Sequence, residues 1–72
     1  MAIEWISVVS SNVEKIGYDK LDHTLGIIFK NNSEYHYPDV EESVYEELMN
    51  SESKGGYVSS NIKYTYSFRR VR

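Results

Sequence analysis

Seventy-two residues, 40% apolar and 26% charged, have the composition of a small folded domain rather than of a disordered tail. At this length a chain buries only about 60% of its unfolded surface, which leaves room for one modest core and little for a deep cleft. With no cysteine, disulfides, thiolate zinc sites and thiol nucleophiles are excluded, and the longest apolar run, Ile27-Ile28-Phe29, cannot span a membrane. The expectation is one cytoplasmic domain covering residues 1–72.

Ile3 to Val9 is β-prone, and Ser10-Ser11-Asn12 is a polar break suited to a turn. Val13 to Tyr18 is a second expected strand, with Ile16 and Tyr18 on one face, and residues 19–23 form a loop. Thr24 to Lys30 follows as the clearest strand, because Leu25, Ile27 and Phe29 alternate onto one face. A three-residue loop, Asn31-Asn32-Ser33, would set Phe29 opposite Tyr35, Ile27 opposite Tyr37 and Ile28 opposite His36. A two-residue loop would instead put Phe29 beside Glu34 and split the aromatic face.

Pro38 stops the next strand, and Asp39 with Glu42 has the spacing of a capping box. Val40, Val44, Tyr45, Leu48 and Met49 then fall on one helical stripe, with Glu41, Glu42, Glu46 and Glu47 on the solvent side. Ser53-Lys54-Gly55-Gly56 is expected to be a flexible connection, and Tyr57 to Ile62 a short helix or irregular turn. Tyr64, Tyr66 and Phe68 alternate with Thr65 and Ser67, which predicts an extended segment closing the sheet edge. The fold expected is α+β: a small antiparallel sheet of about four strands, one amphipathic helix across a face, and an aromatic-basic C-terminal segment.

Charge is distributed unevenly. Residues 1–52 hold all eleven acids and three lysines, a net of −8, whereas residues 53–72 hold five basic residues and no acid. Such asymmetry points either to an interaction surface, often for nucleic acid, or to a tail folded against the chain's own acidic helix. A pI near 5.2 weighs toward the second reading. Seven tyrosines against two phenylalanines favour rings with one wet end, as at interfaces or at the edge of a small core.

Taken together, Val8-Val9-Ser10-Ser11-Asn12-Val13, Ile16-Gly17-Tyr18-Asp19, Thr24-Leu25 through Phe29, and Tyr35-His36-Tyr37 form an ordered series. It continues with Val44-Tyr45 and Leu48, Ser53-Lys54-Gly55-Gly56-Tyr57-Val58, Ile62-Lys63, and Tyr66-Ser67-Phe68-Arg69-Arg70-Val71. This series resembles the KTSC domain, a small family found at the C-terminus of some lysyl-tRNA synthetases and as stand-alone bacterial or phage proteins. Tyr35-His36-Tyr37 looks like the family's Tyr-x-Tyr motif. Ser59 stands where the family usually has Asn, and Asn31-Asn32-Ser33 where a glycine is common. The resemblance implies structural roles for Ser10, Ser11, Gly17, Tyr18, Tyr35, Tyr37, Tyr45, Gly55, Tyr57 and Ile62. It implies RNA as a suggested partner and no assigned activity.

Nothing in the pattern carries catalysis. His23 and His36 fall on different strands, too far apart for shared ligation, so neither metal nor cofactor is expected. Ser10 and Ser11 have no base at motif spacing, and turn chemistry accounts for them. Gly55-Gly56 lacks the length and the Lys-Ser/Thr of a phosphate loop. Tyr35 and Tyr37 could stack bases, but beside Leu25, Ile27 and Phe29 they are expected to pack in the core. The expected function is a non-catalytic binding module, with RNA as the suggested partner. Lys63, Arg69, Arg70 and Arg72 would contact phosphates, while Tyr64, Tyr66 and Phe68 stack on bases. The alternative is a protein-interaction or accessory module, in which the same aromatics anchor a partner chain or a second copy.

Overall fold

The computed structural model describes residues 3–72. Strands β1 (Glu4–Ser7), β2 (Val13–Asp19), β3 (Thr24–Phe29) and β4 (Glu34–Tyr37) are followed by helix α1 (Glu42–Asn50). Helix α2 (Lys54–Tyr57) runs directly into a π-helical turn (Val58–Ile62), and β5 (Arg69–Arg70) ends the series. The fold is α+β, with one antiparallel sheet in the order β1-β2-β3-β4-β5, one strand more than the sequence suggested. Among the described residues no helix is long and apolar enough to cross a membrane.

Strand alternation divides the sheet into two unlike faces. The inner face carries the row Tyr18–Leu25–Tyr37 and the row Ile6–Ile16–Ile27–Tyr35–Arg70. A bulge at Glu14 then lets Val13 pair with Phe29 on that same face. Ile16, Leu25 and Ile27 are completely buried there beneath Val40, Leu48 and Ile62. Tyr45 on α1 stacks on Tyr18, with ring centroids 5.1 Å apart.

The outer face carries the row Trp5–Gly17–Gly26–His36–Arg69. Here the two glycines are a seat. A Cβ at Gly26 would meet the Trp5 ring at 2.6 Å, and one at Gly17 would meet the Glu4 carbonyl oxygen at 2.6 Å. Trp5 can therefore cross the strands toward His36, to a centroid distance of 6.3 Å.

The β3–β4 loop has the expected three residues but begins one residue early. Phe29 N–H donates to Ser33 O at 2.9 Å and Asn32 N–H to Phe29 O at 2.8 Å, so the loop is Lys30-Asn31-Asn32, with Asn32 left-handed at φ 71°. Ile27 therefore faces Tyr35, Leu25 faces Tyr37, and His36 pairs with Gly26 rather than Ile28. The slip is two positions along the ladder, an even number, so every side chain keeps its predicted face.

Asp39 does not cap the helix. It takes a left-handed φ of 61°, and Glu41 occupies the N-cap position without a side-chain bond. Tertiary contacts dictate this entry. Val40 is completely buried, its N–H donates to His23 O at 2.9 Å, and its carbonyl accepts from the Tyr18 hydroxyl. Ser53-Lys54-Gly55-Gly56 is likewise not a flexible link: Ser53 Oγ accepts from Gly56 N–H at 3.1 Å and starts α2. Residues 63–66 are turns rather than an extended run; Arg69–Arg70 pair with β4, and Val71 and Arg72 continue with backbone bonds to Glu34.

A methyl group at Gly17 would strike the Ile3 side chain and the Glu4 carbonyl, and the backbone atom cannot rotate away. Gly17→Ala is expected to destabilise the domain by about 1–3 kcal/mol, read as a lowered urea midpoint by Trp5 fluorescence.

Candidate functional site

The C-terminal cluster expected from the sequence divides in the structure, because neighbouring strand residues point to opposite faces. Arg70 lies on the inner-face row, with its guanidinium carbon 5.9 Å from the Tyr35 ring centroid and Nη2 donating to Ser33 Oγ at 3.3 Å. Arg69 falls on the outer-face row beside His36. Arg72 Nη2 reaches Glu34 Oε1 at 3.4 Å, and Glu34 Oε2 also holds His36 Nε2 at 2.8 Å. The basic tail thus packs along β4, not against the acidic helix.

The aromatic residues separate in the same way. Tyr66 is half-buried against the core. Tyr64 is 82% exposed, with Lys63 Nζ 5.6 Å from its ring centroid. Phe68 remains 54% exposed while its ring lies 5.1 Å from Tyr35 and 6.0 Å from Tyr37. Tyr35 meets Phe29 edge-on at 5.6 Å. Tyr37 is buried, as the core-packing expectation requires, and burial pushes its hydroxyl pKa up.

Four of these rings, those of Phe29, Tyr35, Tyr37 and Phe68, wall a cleft of 260 Å³ between the sheet and the π-helical turn. Phe29, Tyr35 and Phe68 form its aromatic side, and Asn12, Asn31 and Lys63 stand at its polar side. Across Asn12 and Ser59 it adjoins a more open polar cleft of 380 Å³, to which Ser10, Ser53 and Lys54 contribute. Ser10 Oγ accepts from Val13 N–H at 3.3 Å and donates to Asn12 Oδ1 at 3.3 Å, which is the turn role anticipated for it. Gly55 lets the α2 backbone close on this turn. A Cβ there would lie 3.3 Å from Ser10 Oγ and collide with the Asn12 amide.

Asn12, Asn31 and Ser59 were not singled out as binding residues from the sequence. Their positions in turns gave only a backbone reason for their identity, and only the closure of α2 on the Ser10 turn brings them to one cleft. Ser11 is exposed beside that turn, and Ile62 is completely buried in the core. Among the described residues no three His, Asp or Glu side chains converge on a metal-sized site.

Tyr57 links α2 to α1 by donating its hydroxyl to Glu47 Oε1 at 2.7 Å. That bond, reinforced by burial and the carboxylate charge, pushes the Tyr57 pKa up from 10.0 to about 12. Burial followed by nearby carboxylates raises Tyr18, and burial foremost raises Tyr45. Because the folded state holds the Tyr57 phenol neutral, its contribution is intact below pH 10 and is lost as pH climbs toward about 12. Alkaline titration is therefore expected to lower the urea midpoint of the domain in that window. In Tyr57→Phe, tyrosinate absorbance should lose its latest-titrating component and the pH dependence should become shallower.

The KTSC domain family matches residues 9–66, and the chain belongs to that family. It is similar to a protein of Tsukamurella paurometabola, at 34% identity over 56 residues, which covers 78% of this chain and 84% of that protein. It also resembles a KTSC domain protein of Yersinia pestis known from a crystal structure. That likeness has a TM-score of 0.94 at 31% identity and covers 99% of this chain and 100% of the other.

Proposed function

We propose that this KTSC domain is a non-catalytic module that binds single-stranded RNA on the inner-face side of β4 and β5. The observation that carries the reading is Phe68: a half-exposed ring tilted against Tyr35 and Tyr37, flanked on the same face by Arg70 and Lys63. An aromatic platform beside exposed cations is what an unpaired base and its phosphate require. Lys63, Arg70, Phe68 and Tyr35 make the contact, with Tyr64 extending the stacking surface. Arg69 and Arg72 belong to the opposite face and stand outside the site. The same exposed rings support an alternative in which they anchor a protein partner, and charge dependence separates the two.

With two or three phosphates neutralised, RNA affinity should fall about 7- to 20-fold between about 50 and 200 mM salt. Fluorescence anisotropy of labelled single-stranded RNA reads this directly. Phe68→Ala should weaken binding at least about fivefold. Lys63→Ala with Arg70→Ala should flatten the salt slope, whereas Arg69→Ala with Arg72→Ala should change affinity less than about threefold. Salt-insensitive capture, or no RNA binding at low salt, would move the assignment to a protein partner.

A further inference from the structure

We infer that the outer face of the sheet is a self-association surface, on which a second copy of this chain packs antiparallel about a two-fold axis. Lys15 of each copy then stands opposite Asp22 of the other. The helical arm packs on the inner face, and the outer-face cleft is lined by strand and loop residues alone. The surface left open has an apolar centre. Ile3 lies over Gly17, Trp5 lies over Gly26, and Ile28 follows on β3, each of them half-buried. Two sheet faces of this kind stack about 10 Å apart with interdigitating side chains.

Charge selects the occupant. The outward positions of β2 run Lys15, Gly17, Asp19, so one end of the face is basic and the other acidic. At the acidic end Asp22 lines a cleft of 260 Å³ with Ile3, Trp5 and Thr24, while His36 and Arg69 line it from β4 and β5. Asp19 Oδ1 is engaged by the N–H groups of Leu21 and Asp22, and Glu34 at the basic end is held by His36 and Arg72. Lys15 and Asp22 are exposed and join no ion pair among the described residues. A two-fold axis across the strands, along the row of Trp5, Gly17 and Gly26, lays the basic end of each copy on the acidic end of the other. The parallel alternative sets Lys15 against Lys15 and Asp22 against Asp22, which like-charge repulsion disfavours. The Arg69 side chains approach one another only at the β5 edge, where water and salt screen them.

Such a contact is isologous and closes at two copies. Each copy contributes roughly 400–500 Å² of sheet face, from the strand spacing and rise. That area belongs to weak, reversible association, with a dissociation constant on the order of 100 µM. Phe68, Tyr35 and Lys63 lie at the inner-face cleft, so this inference stands apart from the RNA reading.

The experiment is sedimentation equilibrium of the full chain from about 10 µM to about 1 mM. The mass is expected to rise from 8.4 kDa toward twice that value, and to rise less as salt is added. Lys15→Glu and Asp22→Lys should each weaken the dimer at least about fivefold, and the variant carrying both should return to within about twofold of the parent. Two-dimensional NMR of the parent protein needs no variant: the Trp5 indole N–H and the Ile28 amide should shift with concentration. A monomer across the whole range would overturn the inference. So would a dimer indifferent to either charge reversal, one not recovered in the double variant, or shifts confined to Tyr64 and Phe68. Masses beyond two copies would overturn the closed two-fold geometry.

Discussion

One apolar seam holds the domain together. Ile16, Leu25 and Ile27 come up from the two central strands, and Val40, Leu48 and Ile62 come down from the helical arm, all completely buried. Each such side chain contributes about 1.5–3 kcal/mol relative to exposure, more than the surface ion pairs can add. A chain this short can cover only one face of its sheet. The helical arm must therefore return across β2 and β3, and its path explains several local departures from propensity. Val40 is drawn into the core before the helix begins, and its backbone groups bond to His23 and Tyr18 instead of to a cap. Gly55 closes on the Ser10 turn as only a bare backbone can, while the Ser53 hydroxyl holds Gly56 in the short helix despite both residues' low propensity. Where the arm diverges from the sheet, near Phe29 and Tyr35, the seam opens into the aromatic cleft.

The strands were legible because half-buried strands alternate, and Leu25, Ile27 and Phe29 do so without interruption. The helix was legible from the spacing of Val44, Leu48 and Met49. Less visible were features decided by contacts distant in sequence. Which three residues make the β3–β4 loop depends on Asn32 entering the left-handed region, and Asn31 could have done so equally well. Asp39 carried a capping signature, but the burial of Val40 outweighed it. The paired glycines carried a breaker signature, and the Ser53 hydroxyl bond to Gly56 N–H was not anticipated beside it.

The candidate site was legible in kind more than in membership. A run of rings among lysine and arginine marked the right end of the chain. It did not reveal that Arg69 and Arg70, adjacent in sequence, face opposite sides of the sheet, because that depends on where the two-residue strand begins. Nor could it show that Arg72 is tied to Glu34, or that Asn12, from the far end of the chain, stands beside Phe68 at one cleft.

The seat that Gly17 and Gly26 make for β1 has a consequence outside the binding surface. β1 is an edge strand of four residues that pairs with β2 alone, and its close approach depends on two bare positions: Gly17 under the Glu4 backbone and Ile3, and Gly26 under the Trp5 indole. Unseating that ring would peel β1 away and bare β2, a longer strand in the middle of the hydrophobic pattern. An uncovered strand of that kind is a template for pairing with other chains. The glycines therefore act as guardians of solubility: by letting β1 and its Trp5 ring come close, they keep an aggregation-prone edge closed.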